Sequence, residues 1–430
     1  MPTLLWFRRD LRLHDLPALL DAASADNEVL ACYVLDPRLK ASSGQRRLKY
    51  LYDALRDLDE SLDGRLYVTR GRPDQRIPKL VKAIGASSVH VSGDFTPFGR
   101  RRDDAVREAL GDVPLEESGS PYLVSPGRIT KGDGSPYKVF TPFYGSWRKH
   151  GWRSPASSGP KSATWIDPDD IPGAVEIPDL DVELELPAGE RAAKRQWRSF
   201  VQKHLDGYAE NRNRPDLPAT SRMSAHLKFG TIHPRTMAAD LGHSADAQAY
   251  LRELAFRDFY AAVLDQWPDS VWWNWNKSFD KIEVDDDEDA RSLFDAWKHG
   301  RTGFPIVDAG MRQLAQTGFM HNRVRMIVAS FLVKDLHLPW QWGARWFLDQ
   351  LVDGDMANNQ HGWQWAAGCG TDAAPYFRVF NPTTQGEKFD PDGEYVHRWV
   401  PEVDDDDYPD PIVDHKAERA EALRRYGEIT

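Results

Sequence analysis

The chain has 430 residues, 41% of them hydrophobic and 28% charged, with a formal net charge of −11, and that length exceeds what one hydrophobic core usually serves, so two domains are expected. No apolar run approaches the roughly 18 to 20 residues of a membrane span, and the two cysteines, Cys32 and Cys369, exclude a four-thiolate iron–sulfur cluster within one chain. Widely separated cysteines fit reduced thiols, and the first residues, MPTLLWFRRDLRLHD, start a strand instead of a signal peptide, so a cytoplasmic protein without membrane contact is expected.

In chain order, Thr3 to Phe7, Val29 to Leu35, Leu66 to Thr69 and Ser88 to Ser92 are short apolar or β-branched runs, with helical patterns over 46–62 and 74–84 between them. Strand, helix, strand, helix predicts a Rossmann-like α/β domain with a parallel sheet, assigned to residues 1–125. No GxGxxG follows the first strand, so NAD binding in the usual manner is not expected. In the turn RRDLRLHD, Asp10 and Asp15 read as capping residues or as partners of nearby arginines. Gly, Pro and Ser then become frequent, and residues 126–189 read as an interdomain linker, with one short helix possible from Phe140 to Trp152. From residue 190 to 430 the pattern is all-α. Arg191 to Leu205, Ala247 to Gln266, Ala290 to His299, Ile306 to Gln316, Arg323 to Leu336 and Trp340 to Leu351 carry apolar residues at threes and fours.

The second half also carries the chemistry. Eleven of the 16 tryptophans lie at or beyond Trp267, which concentrates flat aromatic surface there. The acids cluster at Asp285 to Asp289 and Asp404 to Asp407, whereas Ala309 to Lys334 has none and holds Arg312, Arg323, Arg325 and Lys334. One basic face is therefore expected within an acidic total. Thr220-Ser221-Arg222-Met223-Ser224 places hydroxyls and a guanidinium before an apolar run, either an anion site or a helix N-cap. In YLRELAFRDFY, Glu253, Phe256, Arg257 and Tyr260 are spaced to share a helix face, as an ion pair with packed rings or as the wall of a pocket for a flat polar substrate. His321-Asn322-Arg323-Val324-Arg325 opens the acid-free helix, reading as a phosphate contact or a solvated basic face. Asp353 to Pro382 packs Asp353, Asp355, Asn358, Asn359, Trp363, Trp365, Phe377, Arg378 and Phe380 into one segment. Carboxylates, amides and indoles together suit a planar, phosphate-bearing cofactor; a Trp-rich buried helix is the plainer alternative. No resident metal is expected.

Three stretches, WFRRDLRLHD, TGFMHNRVRMIVASFLVKDL and WQWAAGCGTDAAPYFRVFNPTTQGEKF, carry a resemblance that extends over most of the chain. The chain resembles the photolyase and cryptochrome family, and within it the bacterial DNA photolyases that repair cyclobutane pyrimidine dimers. The resemblance implies an α/β antenna domain, a long linker and a helical domain holding FAD. It implies FAD contacts from Tyr208, Thr220, Ser221, Arg222, Met223, Ser224, Tyr250, Arg257, Asn322, Arg325, Asp353, Gly354, Asp355 and Asn359, with Asn359 facing the flavin N5. Glu253 would bond a thymine edge of a flipped dimer, with Met326 and Trp365 lining the pocket. Arg212, Phe256, Asn322, Arg323, Arg378 and Gln385 would contact the strand of UV-damaged DNA. Trp363 and Trp340 match the inner members of the family's light-driven reduction chain, and no protein partner is implied for what is expected to be a monomer.

The chain departs from the family at two places. Phe256 stands where a Trp is common, and the outermost relay Trp is replaced by the acidic 285–289 segment, leaving Trp272, Trp273 or Trp275 as substitutes. Gly99-Arg100 replaces the Asn-Glu of folate binders, so a deazaflavin antenna (8-HDF) is expected ahead of methenyltetrahydrofolate. His321-Asn322-Arg323 favours cyclobutane dimers over the (6-4) photoproduct. A cryptochrome-like photoreceptor and a non-photochemical α/β enzyme are the other readings.

Overall fold

Five short parallel strands form the centre of the first half, and the first four are buried along almost their whole length, so the sheet needs cover on both faces. In the computed structural model, which describes residues 1–429 apart from 374, 376 and 377, they are β1 (Thr3–Phe7), β2 (Glu28–Leu35), β3 (Leu66–Arg70), β4 (Ser88–Val91) and β5 (Leu115–Glu117). Phe377 thus lies outside the described residues. The order is β3-β2-β1-β4-β5, with Thr3 opposite Val29 and Ser88, and Ala31 opposite Leu66. A sixth strand, β6 (Thr164–Trp165), pairs with the start of β2 from inside the stretch read as linker. Leu4, Trp6, Leu30, Cys32, Val89 and Val91 pack with Ile77, Leu80 and Val106 from the covering helices. Those helices, Pro73–Ile84 and Pro97–Leu110, begin with proline, whose fixed φ and missing N–H suit the first turn.

The chain divides into two compact units. The first comprises Met1–Tyr137, Thr141–Lys203 and Ser221–Pro268; the second comprises Lys138–Phe140, His204–Thr220 and Asp269–Thr430. The predicted helices fall within two residues of the observed Glu190–Lys203, Ala245–Gln266, Glu288–Lys298, Pro305–Thr317, Asn322–Lys334 and Trp340–Gln350, and the predicted 140–152 helix is Phe140–His150.

The second unit is built around helices Pro305–Thr317, Asn322–Lys334, Trp340–Gln350 and Met356–Ala367. Two glycines set how closely they approach. A Cβ on Gly310 would meet Val324 Cγ1 at 2.4 Å, and one on Gly343 would meet Trp363 Cη2 at 2.1 Å. The Met356–Ala367 helix is unusual in turning polar side chains inward. Gln360 donates to the Val271 carbonyl at 2.7 Å, Gln364 donates to the Ser270 carbonyl and accepts from Trp275 N at 2.9 Å, and His361 Nε2 pairs with Ser270 Oγ at 2.9 Å. These bonds tie the loop after Pro268 to the helix and satisfy groups that burial would otherwise penalise by about 1–3 kcal/mol each.

The expected basic face does not form as a solvated surface. Lys334 is buried, Arg312 pairs with Glu402 at 2.5 Å, and Arg325 pairs with Asp353 at 2.9 Å. Opposite charges brought in by other segments neutralise part of a stretch that contains no acid of its own.

Candidate functional site

In the first unit, the Ser221–Ser224 segment does lead into a short helix, Ser224–Phe229. Ser221 Oγ lies 2.7 Å from the Tyr250 hydroxyl, and the Ser221 carbonyl accepts from Gln196 Nε2 at 3.0 Å. Arg222 follows with φ of 54°, a left-handed conformation that turns the chain sharply, and its guanidinium pairs with Glu185. Met223 is buried and Ser224 exposed.

The Ala245–Gln266 helix starts on Ser244, whose side chain accepts from Ala247 N at 3.1 Å. Glu253, Phe256 and Tyr260 lie along its partly exposed side, as their spacing predicts. Arg257 does not join them. Its guanidinium turns inward, donates to the Pro121 carbonyl at 2.6 Å and the Leu227 carbonyl at 3.1 Å, and sits 4.7 Å from the Tyr122 ring centroid. Two backbone carbonyls replace the carboxylate partner that the i, i+4 spacing suggested.

In the second unit, Asp355 caps the Met356–Ala367 helix, accepting from Asn358 N at 3.2 Å and Asn358 Nδ2 at 2.9 Å. Asp353 and Gly354 are buried just before it, and Asp353 accepts from Arg325. Asn359 Nδ2 donates to the Ala344 carbonyl at 3.0 Å and to Gln360 Oε1 at 2.7 Å. A carbonyl can only accept, so the amide orientation is fixed and Oδ1 is left as the atom for a ligand. Carboxylates and an amide acceptor at one helix start, with Arg325 reaching Asp353 from the Asn322–Lys334 helix, are a set that fits a phosphorylated, planar, N–H-bearing cofactor such as FAD.

His321 caps the Asn322–Lys334 helix, accepting from Arg323 N at 3.1 Å through Nδ1. Its buried Nε2 meets no hydrogen-bond partner among the described residues. Burial first, then Arg323 and Arg325, push this imidazole down to about 4, so it is neutral at pH 7. Asn322 is exposed on the first turn, and Met326 is half-buried one turn later.

Three arginines of the expected strand contacts come together in this unit. Burial lowers the pKa of Arg323, and the charges of Arg212 and Arg378 each lower it further. Arg323 is held by Asn213 Oδ1 at 2.9 Å and by the Phe389 ring, 4.4 Å from its guanidinium carbon. Phe389 lies on the Pro382–Phe389 helix, which also carries Gln385. Arg212 stacks 5.7 Å from the Tyr208 ring centroid. Crowded like charges supported by neutral amides and rings form a ready anion site.

Residues 3–161 match the family described as DNA photolyase, and residues 250–406 match the FAD binding domain of DNA photolyase. The chain is 41% identical to the deoxyribodipyrimidine photo-lyase of a Thermus thermophilus strain across 99% of this chain and 97% of that one. The chain belongs to the DNA photolyase family. A bacterial class III photolyase from Agrobacterium tumefaciens superposes with a TM-score of 0.92 at 36% identity, over 100% of this chain and 97% of that chain. An archaeal photolyase from Sulfolobus tokodaii, described with two FAD molecules and a novel light-harvesting cofactor, superposes with a TM-score of 0.88 at 29% identity over 100% of both chains.

Within this photolyase fold, Trp363 is buried against Trp297 and Phe347, with ring centroids 6.0 and 5.0 Å apart. It touches Gly343, one turn along from Trp340 on the same helix. Trp340 donates its indole N–H to Asn274 Oδ1 at 2.9 Å, and both line a cavity of about 430 Å³ with Trp273, Phe279 and Tyr426. Trp273 is 62% exposed. Trp365 is half-buried. In the other unit, the carboxyl ends of β1 and β4, where open α/β sheets take ligands, carry an ion network. Arg8 pairs with Asp103 at 2.6 Å, and Arg102 pairs with Asp103 at 2.8 Å and Asp94 at 3.2 Å.

Sequence reasoning missed the residues that hold the site in shape. Gln360 and Gln364 share a helix face at i, i+4, the signal that could have revealed them. Nothing local marks Asn274 or the destination of Lys334.

Proposed function

We propose that this photolyase-family chain repairs DNA by splitting cyclobutane pyrimidine dimers under blue or near-ultraviolet light, with FAD as its cofactor. The observation that carries the reading is the Asn359 amide, whose N–H groups are committed to Ala344 and Gln360 so that Oδ1 is offered as an acceptor. An acceptor favours a flavin that carries a proton at N5, and a neutral amide adds no competing negative charge. When bound, FAD supplies the light-driven electron that opens the cyclobutane ring and takes it back afterwards.

The protein's own tasks are binding, orientation and charge placement. Arg325, Asp353, Gly354 and Asp355 hold the cofactor's polar edge, with Tyr208, Thr220, Ser221, Arg222, Met223, Ser224 and Tyr250 as phosphate and sugar contacts. Arg212, Arg323, Arg378 and Gln385 grip the phosphates of the damaged strand, which positions the enzyme without reading sequence. Glu253 bonds a thymine edge of the extruded dimer, an exchange that is least costly for a base step the lesion has already unstacked. Phe256, Met326 and Trp365 supply apolar walls. Trp363, Trp340 and Trp273 conduct the electron that reduces the cofactor under light, Trp273 serving as the solvent-facing end.

A deazaflavin is the antenna we favour for the α/β unit, ahead of methenyltetrahydrofolate. A Cβ on Gly99 would lie 2.2 Å from the Asp94 carboxyl carbon, and Arg100 pairs with Asp265, so neither position offers the Asn-Glu pair associated with folate. Free, buried Cys32 and Cys369 are consistent with a reducing cytoplasm.

The deciding measurement is repair of an oligonucleotide holding one cyclobutane thymine dimer, by protein with chemically reduced flavin, beside a (6-4) substrate. Restoration of the first alone is expected. Absence of both repairs, with flavin bound and DNA binding intact, would favour a photoreceptor.

A further inference from the structure

Lys334 ends its helix with its side chain in the interior, 1% exposed and among the largest fully buried side chains of the protein. Its Nζ donates to the Arg378 carbonyl oxygen at 2.8 Å and lies 5.7 Å from the Tyr426 ring centroid. Burying an ammonium costs several kcal/mol unless charge or hydrogen bonds compensate. The compensation is a carbonyl, a ring face and the charge of the adjacent Asp335, whose Oδ1 also meets His415 at 2.5 Å. Arg378, whose backbone Lys334 holds, opposes the Lys334 charge, and Arg378 and Arg212 both oppose Arg323. Arg378 is thus the cation shared by Lys334 on one side and Arg323 on the other, and a phosphate at the arginines is the group that would relieve it.

We infer that Lys334 is a positioning residue for the strand-binding arginines: its ammonium fixes the Arg378 backbone and must be charged for the cluster to hold a DNA phosphate at full strength. This rests on the reading of Arg212, Arg323 and Arg378 as strand contacts. The charged and titratable groups around it are Asp335, which caps its helix, Arg378 in the loop after the Met356–Ala367 helix and Tyr426 on the His415–Gly427 helix. His415, His337 and Glu418 act on it through Asp335. Burial lowers Lys334 to about 8, against Asp335 and with help from Arg378. Neutralising it therefore falls within an accessible pH range.

The sign separates binding from folding. The folded pKa lies below the ordinary 10.5, so between about 8 and 10.5 the unfolded chain binds more protons. On account of this group, the fold gains stability as pH rises through that window, while the strand grip weakens.

The test is fluorescence anisotropy with an undamaged duplex and the same duplex carrying one dimer, from pH 7 to 9.5, for the wild type, Lys334→Met, Lys334→Gln and Arg378→Ala. Lys334→Met is expected to weaken both duplexes about tenfold at pH 7 and to flatten the pH profile. Lys334→Gln, which can still donate to the carbonyl, is expected to lose less affinity and to be equally flat. A wild-type affinity that does not decline by pH 9.5 overturns the inference even if neither Lys334 variant folds. Wild-type affinity in Lys334→Met overturns it as well. Arg378→Ala keeps the carbonyl and so leaves the Lys334 contact in place. If it too binds like the wild type, the strand-contact reading has failed; if it weakens while Lys334→Met does not, only the role of Lys334 has.

Discussion

Arg325 and Asp353 are joined at two points: Arg325 Nη2 lies 2.9 Å from Oδ2 and 3.2 Å from Oδ1 of Asp353, while Arg325 Nε is anchored on the Met320 carbonyl at 2.8 Å. The guanidinium is thereby aimed before any ligand arrives. Asp353→Asn removes the charge and leaves Arg325 uncompensated. About a tenfold loss of FAD affinity is expected, equivalent to ~1.4 kcal/mol, read from the fraction of flavin retained on dilution. Full retention would remove this pair from the cofactor site.

Asn359→Asp sets a carboxylate oxygen against the Ala344 carbonyl and Gln360 Oε1, where the amide now donates. The new side chain must take up a proton or turn away. Either change spoils the acceptor proposed for N5, so the reduced flavin is expected to reoxidise in air at least about tenfold faster, a change of ~1.4 kcal/mol in barrier. An unchanged absorbance decay would show that Asn359 does not govern this step.

Trp273→Phe preserves an apolar wall in the Trp340 cavity but raises the cost of removing an electron there. Light-driven reduction of oxidised flavin is expected to slow about tenfold or more, with dimer repair by chemically reduced protein unaffected. Trp272→Phe and Trp275→Phe are the controls. If either of them, and not Trp273→Phe, slows reduction, the exposed end of the chain lies elsewhere.

Asp258 Oδ2 accepts from Val124 N at 2.8 Å and Trp147 Nε1 at 3.0 Å, and burial pushes this carboxyl up to about 6. Because the folded pKa lies above the ordinary 3.8, the folded state binds more protons between those values. The stability this group provides is complete below the lower value and lost as pH rises through about 6. Asp258→Asn keeps an oxygen for both donors, so its thermal midpoint is expected to vary less than that of the wild type between pH 4 and 7.5. It should exceed the wild-type midpoint at pH 7. Parallel midpoints across that range would refute the assignment.

The first four strands were legible because parallel strands such as Thr3–Phe7 are apolar on both faces, and the longer helices because they bury one side; β5, Leu115–Glu117 with both glutamates exposed, was not. The Met356–Ala367 helix escaped periodicity because Gln360, His361 and Gln364 are interior groups satisfied by a distant loop. Charge was an equally poor guide to exposure for Arg257 and Lys334, each of which reaches a backbone carbonyl that no local pattern announces. Strand β6 is two residues long, too short for alternation to register. The inward turn of Arg257 and the solvent-facing place of Trp273 needed coordinates.

The arginine cluster sits on a molecule of net charge −11, with Asp404 to Asp407 exposed to solvent. A net negative charge opposes the approach of a polyanion, so collisions that do not bring a phosphate to the cluster are disfavoured. Added salt acts on both influences at once, shortening the reach of the repulsion while weakening the phosphate grip. On the reading of these arginines as strand contacts, the acidic exterior serves as a directional filter, favouring encounters that bring a phosphate to the cluster.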